Sequence, residues 1–195
     1  MKTILLFCAF IGIVCASELK ICDEDANVLL RTRDPLEIAQ QLWLIGVRFE
    51  QWEASQPIDD TATEAEIQAA YRADIQKIVL EHGFRAVDVI HMIPPHPNQE
   101  AIRKKFLNEH IHDEPEVRFF VEGSGVFFLH YGDRVYAVTC EKGDLMSIPP
   151  NYKHFFDMGP NPYFTAIRFF TRTEGWIPYF TGDLISQKFV TDGSL

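Results

Sequence analysis

Two histidines stand one residue apart at His110 and His112, and Glu116 follows four positions after the second. On a strand, side chains alternate, so both imidazoles point to one face, and Glu116 keeps that parity. His154 lies 38 positions beyond Glu116, across several short β-like runs, where a neighbouring strand of a small barrel can carry it to the same point. Three neutral imidazoles and one carboxylate suit a divalent transition metal better than Mg²⁺ or Ca²⁺, which prefer oxygen. Four protein donors leave an octahedral ion two positions for substrate or O₂, so the site reads as reactive. Arg118, two residues after Glu116, shares its face and adds a positive charge. By residue type alone, Arg118 reads as a surface cation paired with a nearby acid. His82, His91, His96 and His130 lack any such spacing and read as satisfied surface or core residues.

A β-rich region must position these residues. From His110 onward the chain is a series of short runs: Val117 to Glu122, Val126 to Tyr131, Val135 to Cys140, Leu145 to Ile148 and Tyr163 to Phe170. Turn residues separate them at Gly123-Ser124-Gly125, Gly132-Asp133, Lys142-Gly143-Asp144 and Gly159 to Pro162. Evenly spaced short strands predict a sandwich or barrel that hides its edges. Three helices precede it. Asp34-Pro35-Leu36-Glu37 caps one that ends near Gly46, with Glu37 placed to bond back. The capping box Thr63 to Glu66 opens a second, which carries Ile67, Tyr71, Ile75 and Ile78 and stops at His82-Gly83. A third runs from about Gln99 to Leu107, after Pro94-Pro95-His96-Pro97. All three read as scaffold.

At 195 residues, the chain from residue 17 to 195 suits one domain with a real core. A charge of −10 argues against a nucleic-acid partner, which needs clustered Lys and Arg, and an anionic substrate would need a local positive site. Residues 1–16 differ from the rest. A basic Lys2, an apolar run and Val14-Cys15-Ala16 form the pattern of a signal peptide cleaved before Ser17, too short for a membrane span. Such a leader implies export to a periplasm or beyond. Cys8 and Cys15 go with it, leaving Cys22 and Cys140, which read as small buried thiols.

Larger motifs sharpen this reading. His110-x-His112-x₃-Glu116-x₆-Gly123 resembles the first cupin motif, and Gly143-x₅-Pro149-x₄-His154 resembles the second. Gly46 to Trp52, Lys105 to His110, Glu116 to Phe120, His154 to Gly159 and Glu174-Gly175-Trp176 together resemble acireductone dioxygenases of the bacterial type, over roughly residues 17 to 185. The resemblance implies a mainly β fold with N-terminal helices, a cupin jelly-roll β-barrel. It implies one Fe²⁺ or Ni²⁺ per monomer, held by His110, His112, Glu116 and His154, with acireductone and O₂ as substrates. Arg118 then matches the arginine that helps form the substrate dianion, and Glu109 the acid that assists metal incorporation. Phe106, Phe156 and Trp176 match apolar pocket residues, although by type alone aromatics are more often core. An acidic residue often precedes the metal-binding Glu; here it is Pro115, so hydrogen bonding behind the site is expected to differ. The family works in the cytoplasm, unlike an exported chain. Two further readings stay open, another metallocupin such as an isomerase or decarboxylase, and a non-catalytic cupin binding module.

Overall fold

The structure, a computed structural model, describes residues 17–190; the leader expected over residues 1–16 lies outside them. Their elements run β1 (Glu18–Asp23), β2 (Val28–Thr32), α1 (Pro35–Leu44), β3 (Arg48–Gln51), α2 (Glu64–Ala70), α3 (Arg72–His82), β4 (Ala86–Met92) and α4 (Gln99–Phe106). They continue β5 (His110–Ile111), β6 (Glu116–Tyr131), β7 (Arg134–Glu141), β8 (Asp144–Ile148), β9 (Lys153–Asp157), β10 (Phe164–Phe170), β11 (Tyr179–Phe180) and α5 (Ser186–Phe189).

One strand organises the rest. The first half of β6 pairs with β8 and β10, and its second half with β7 and β9, all antiparallel. The first half thus belongs to a sheet ordered β3-β8-β6-β10-β4. The second half belongs to one ordered β11-β5-β9-β6-β7-β1-β2. Phe120, Met146, Ile148 and Phe164 from the first sheet meet Phe127, Leu129, Val138 and Phe156 from the second in one core. The outer face of the first sheet is buried too, with Val117, Phe119, Ile167 and Phe169 packed under Ile67, Tyr71 and Ile78 of the helical layer. Burial on both faces explains why β6 opens as an unbroken buried run, the charged Glu116 and Arg118 included, instead of alternating.

The sequence pattern placed a turn at Gly123-Ser124-Gly125, but β6 runs straight through it. Gly123 sits at φ +64°, where a Cβ would lie 1.9 Å from the Tyr163 carbonyl oxygen. The register against β10 slips between Thr165 and Ala166. The glycine marks a bend that carries one strand from sheet to sheet.

The second expected helix is also divided, at Tyr71, whose backbone leaves helical geometry. That break lets the fully buried Tyr71 ring meet Phe119 edge-on at 5.7 Å while its hydroxyl donates to the Gln56 carbonyl. The capping box at Thr63 and Glu66 forms as expected. At α1, Asp34 caps Leu36 N–H, but Glu37 accepts from the Thr32 hydroxyl instead of bonding back to the cap. Strands β1 to β4, which the pattern did not mark, complete the sheets. Cys22 and Cys140 are free and buried. No helix among the described residues is long and apolar enough to cross a membrane.

Candidate metal centre

His110 of β5 lies directly opposite His154 of β9 in the ladder, so two imidazoles 44 residues apart are neighbours by register. His112 follows just beyond β5, and its carbonyl accepts from Asn151 N–H at 2.6 Å. Glu116 does not reach the group by strand parity. The chain leaves β5 after Ile111 and enters the other sheet at Glu116, the first residue of β6. The centre is therefore built where the two sheets meet. One donor atom from each of His110, His112, Glu116 and His154 lies within 4.8 Å of the others, and all four residues are buried.

The ring orientations are fixed from behind. His110 Nδ1 is 2.6 Å from the Asn108 carbonyl, His154 Nδ1 is 2.8 Å from the Tyr152 carbonyl, and His112 Nδ1 is 2.9 Å from the Ile177 carbonyl. A carbonyl accepts only, so each Nδ1 carries a proton and each Nε2 faces inward, where a neutral ring offers its lone pair. Glu116 Oε2 lies 2.8 Å from His154 Nε2 and 3.2 Å from His112 Nε2. Three nitrogens and one carboxylate converging at these distances fit the donor set of a divalent transition ion.

The charges agree. Burial, followed by the neighbouring His154, pushes His110 down to about 4, so its imidazole is neutral at pH 7. Burial alone would raise Glu116, but Arg118 and then His154 hold it well below the usual carboxylate range. Burial would likewise lower His112, but its bond to Glu116 outweighs this and raises it.

Arg118 is no surface cation. It is 4% exposed, and its Nη2 lies 2.7 Å from Glu116 Oε1. Its Nε and Nη1 have no hydrogen-bond partner among the described residues. Its guanidinium stands 4.7 Å from the Phe156 ring, 5.5 Å from Trp176 and 5.7 Å from Phe106. All of these residues line one cavity of about 240 Å³ with the four candidate ligands. Phe106 and Lys105 come from α4, which is thus more than scaffold.

Glu109 and Pro115 stand elsewhere. The Glu109 carboxylate is buried against His130 at 2.7 Å and the Thr181 hydroxyl at 2.7 Å, outside the residues that line the cavity. The Pro115 carbonyl accepts from Trp176 Nε1 at 3.1 Å. Glu114, one residue earlier, is an acid turned towards the end of β10. It is buried and accepts from both the backbone N–H and the hydroxyl of Thr171. The sequence pattern does not mark the Asp88–Arg168 pair at the cavity wall, joined by two bonds of 2.7 and 2.6 Å across 80 residues, for which no local spacing gives a signal. His82, His91 and His96 all have hydrogen-bond partners away from the centre, as expected, and His130 is buried between two carboxylates.

Comparison with known proteins points one way. A family model described as "ARD/ARD' family" matches residues 19–178. An acireductone dioxygenase of Stenotrophomonas maltophilia is 51% identical over 175 residues, covering 89% of this chain and 95% of the relative. One from Aquifex aeolicus is 47% identical over 173 residues, covering 89% and 94%. A solved structure, the acireductone dioxygenase from Bacillus anthracis with a cadmium ion in its active centre, superposes with a TM-score of 0.75 at 31% identity, over 85% of this chain and 98% of that one. The two-sheet barrel is the cupin-type fold of that enzyme. With the match spanning most of its length and a buried three-histidine, one-carboxylate centre at the barrel mouth, this chain belongs to the ARD/ARD' family.

Proposed function

We propose that this chain is an acireductone dioxygenase of methionine salvage. It cleaves 1,2-dihydroxy-3-keto-5-methylthiopentene with O₂, giving formate and 4-methylthio-2-oxobutanoate with Fe²⁺, or formate, carbon monoxide and 3-methylthiopropionate with Ni²⁺. The observation that carries this reading is the placement of Arg118, buried at the cavity with two unpaired N–H donors beside the candidate ligand Glu116. When bound by His110, His112, Glu116 and His154, a divalent ion supplies Lewis acidity that lowers the pKa of the enediol. Glu116 cancels one of its two charges. Arg118 adds one, so the site presents about two positive charges to a substrate that must become a dianion. In a protein of net charge −10, that is a local reversal of sign.

The walls complete the site. Phe106, Phe156 and Trp176 surround the guanidinium, exclude water from it and receive the apolar methylthio tail. Low local polarity strengthens the attraction between Arg118 and the substrate oxygens. Trp176 is held by its bond to the Pro115 carbonyl and is stacked 5.8 Å from the His112 ring, so the wall and a ligand keep one geometry.

The test is Arg118→Ala. The variant should keep its metal and lose activity about ten- to hundred-fold or more, because a hydrogen bond to a charged group is worth roughly 1.5–3 kcal/mol. Lysine should rescue only in part, since it lacks the planar fork. Mixing with acireductone without O₂ and following its ultraviolet band separates ionisation from turnover. A metal-loaded Arg118→Ala protein that shifts the band and turns over like the parent refutes the role of Arg118. A parent that does not consume acireductone with either metal refutes the function.

A further inference from the structure

Ser17, the residue that the expected leader cut makes first, does not lie at the surface. It is 4% exposed, and its hydroxyl donates to Asp144 Oδ2 at 2.6 Å. Pairing of β1 with β7, Glu18 opposite Thr139, brings Ser17 to the end of β7, beside the turn into β8. Asp144, the first residue of β8, is fully buried there. Its Oδ2 also accepts from the Glu141 N–H at 2.8 Å, whereas Oδ1 accepts, among the described residues, only from the Gln51 amide at 3.3 Å. An ionised carboxylate has about four acceptor positions, so Oδ1 has capacity to spare. Among the described residues, no Lys, Arg or His pairs with Asp144; the titratable groups beside it are Glu141 and the Cys140 thiol. Lys20, Arg31 and Arg33 gather instead on Glu18, at 3.3, 2.8 and 2.8 Å. A carboxylate buried without a cation weakens a fold.

We propose that the chain is cut between Ala16 and Ser17, and that the α-ammonium so formed is the buried cation partner of Asp144, independently of the reaction at the metal centre. A leader-removing peptidase adds one water across the Ala16–Ser17 bond. Ala16 leaves with a carboxylate, and the new Ser17 amine takes up the proton. The Ser17 nitrogen is three bonds from the hydroxyl oxygen already on Asp144. That keeps the new charge within about 6 Å of the carboxylate, close enough to favour its ionised form.

Because Ser17 is buried, the cut comes before this end of the chain folds, as when a leader is removed during export. The uncut chain has an uncharged amide in the same place and lacks the pair. It is the less stable form, which suits a precursor that must stay unfolded until it has been exported. In the uncut chain, burial lifts the Asp144 carboxyl to about 6 against its three hydrogen bonds. The ammonium holds it lower in the cut chain, and Asp144 in turn raises the amine. The amine therefore stabilises the fold in full below the ordinary α-amine range, while Asp144 is ionised, and this is lost as pH climbs through the raised value.

Intact-mass measurement of protein made from the full sequence in an exporting cell should find a chain that begins at Ser17; one that keeps Ala16 overturns the proposal. Two chains of residues 17–195 carrying the same metal, one with a free Ser17 amine and one acetylated there, then isolate the charge. The free amine should titrate above the ordinary α-amine range by nuclear magnetic resonance. Its urea midpoint at pH 7 should exceed that of the acetylated chain by about 0.5 M. Asp144→Asn should erase that difference. An amine that titrates in the ordinary range overturns the pair, and so does a midpoint that acetylation leaves unchanged or a difference that survives Asp144→Asn. If Asp144→Asn does not fold, the titration of the free amine decides alone.

Discussion

The four candidate ligands were legible because a metal asks for particular atoms at short range. His110, His112 and Glu116 sit within seven residues of one another, and the pattern tolerates little else. What orients them was legible only in part. His110 and His154 each point Nδ1 at the carbonyl two residues before themselves, a local arrangement that recurs at both sites. His112 takes its carbonyl from Ile177, 65 residues away, and no spacing foretells that. The residue type of Arg118 suggested a surface charge, and only the family resemblance pointed inward; burial on both faces of β6 decides it. Replacing His154 by Ala tests the centre directly. The variant should lose most of its bound metal by elemental analysis, while its far-ultraviolet circular dichroism stays near that of the parent, because the core packs through Phe155 and Phe156 on either side of the barrel wall. Stoichiometric metal in that variant would mean the ligand set is wrong.

At the scale of elements, local signals and global geometry competed. Caps at Asp34 and Thr63 and the left-handed Gly83 placed helix ends well, because capping is a matter of nearby backbone groups. Strands β1 to β4 were missed because a charged residue interrupts the apolar ones in each, Lys20 in β1, Arg31 in β2, Glu50 in β3 and Asp88 in β4. β1 and β2 pair with each other, but the remaining partners, β7 for β1, β8 for β3 and β10 for β4, lie far along the chain. The glycines at 123–125 were misread because a glycine that bends a strand looks like one that ends it. Two glycines of nearly equal φ separate the causes. Gly132→Ala, at φ +62° with nothing within 4 Å of the added Cβ, should cost only about 1–2 kcal/mol for the left-handed backbone. Gly123→Ala meets the Tyr163 carbonyl as well and should cost clearly more, on the order of 4 kcal/mol. Urea midpoints of the two variants check this, and equal losses would remove the bend from the account.

For the molecule as a whole, one buried acid ties distant parts together. Asp144 is fully buried and accepts from the Ser17 hydroxyl, the Gln51 amide and the Glu141 N–H. It thereby joins the start of the described chain to β3 and to the turn before β8. Burial raises its pKa to about 6, against the lowering effect of those bonds. A carboxyl raised in the folded state holds its proton where the unfolded chain has lost it. Its neutral form therefore favours folding at pH below about 4, and this contribution fades as pH rises through about 6. Asp144→Asn removes the titration, so the parent should lose stability relative to this variant between pH 4 and 6.5, by about 3 kcal/mol in all. Parallel curves of unfolding free energy against pH would show that Asp144 does not titrate in this range. The last consequence concerns the carbonyl of Ile177, an exposed residue between Trp176 and Pro178 of the cavity wall that nonetheless sets the ring of His112. Linkage between two equilibria is reciprocal. If peeling back residues 176–180 releases that ring, then every ion bound by His112 resists the peeling by the same free energy. Metal-loaded protein should therefore exchange the amide hydrogens of residues 176–180 more slowly than metal-free protein.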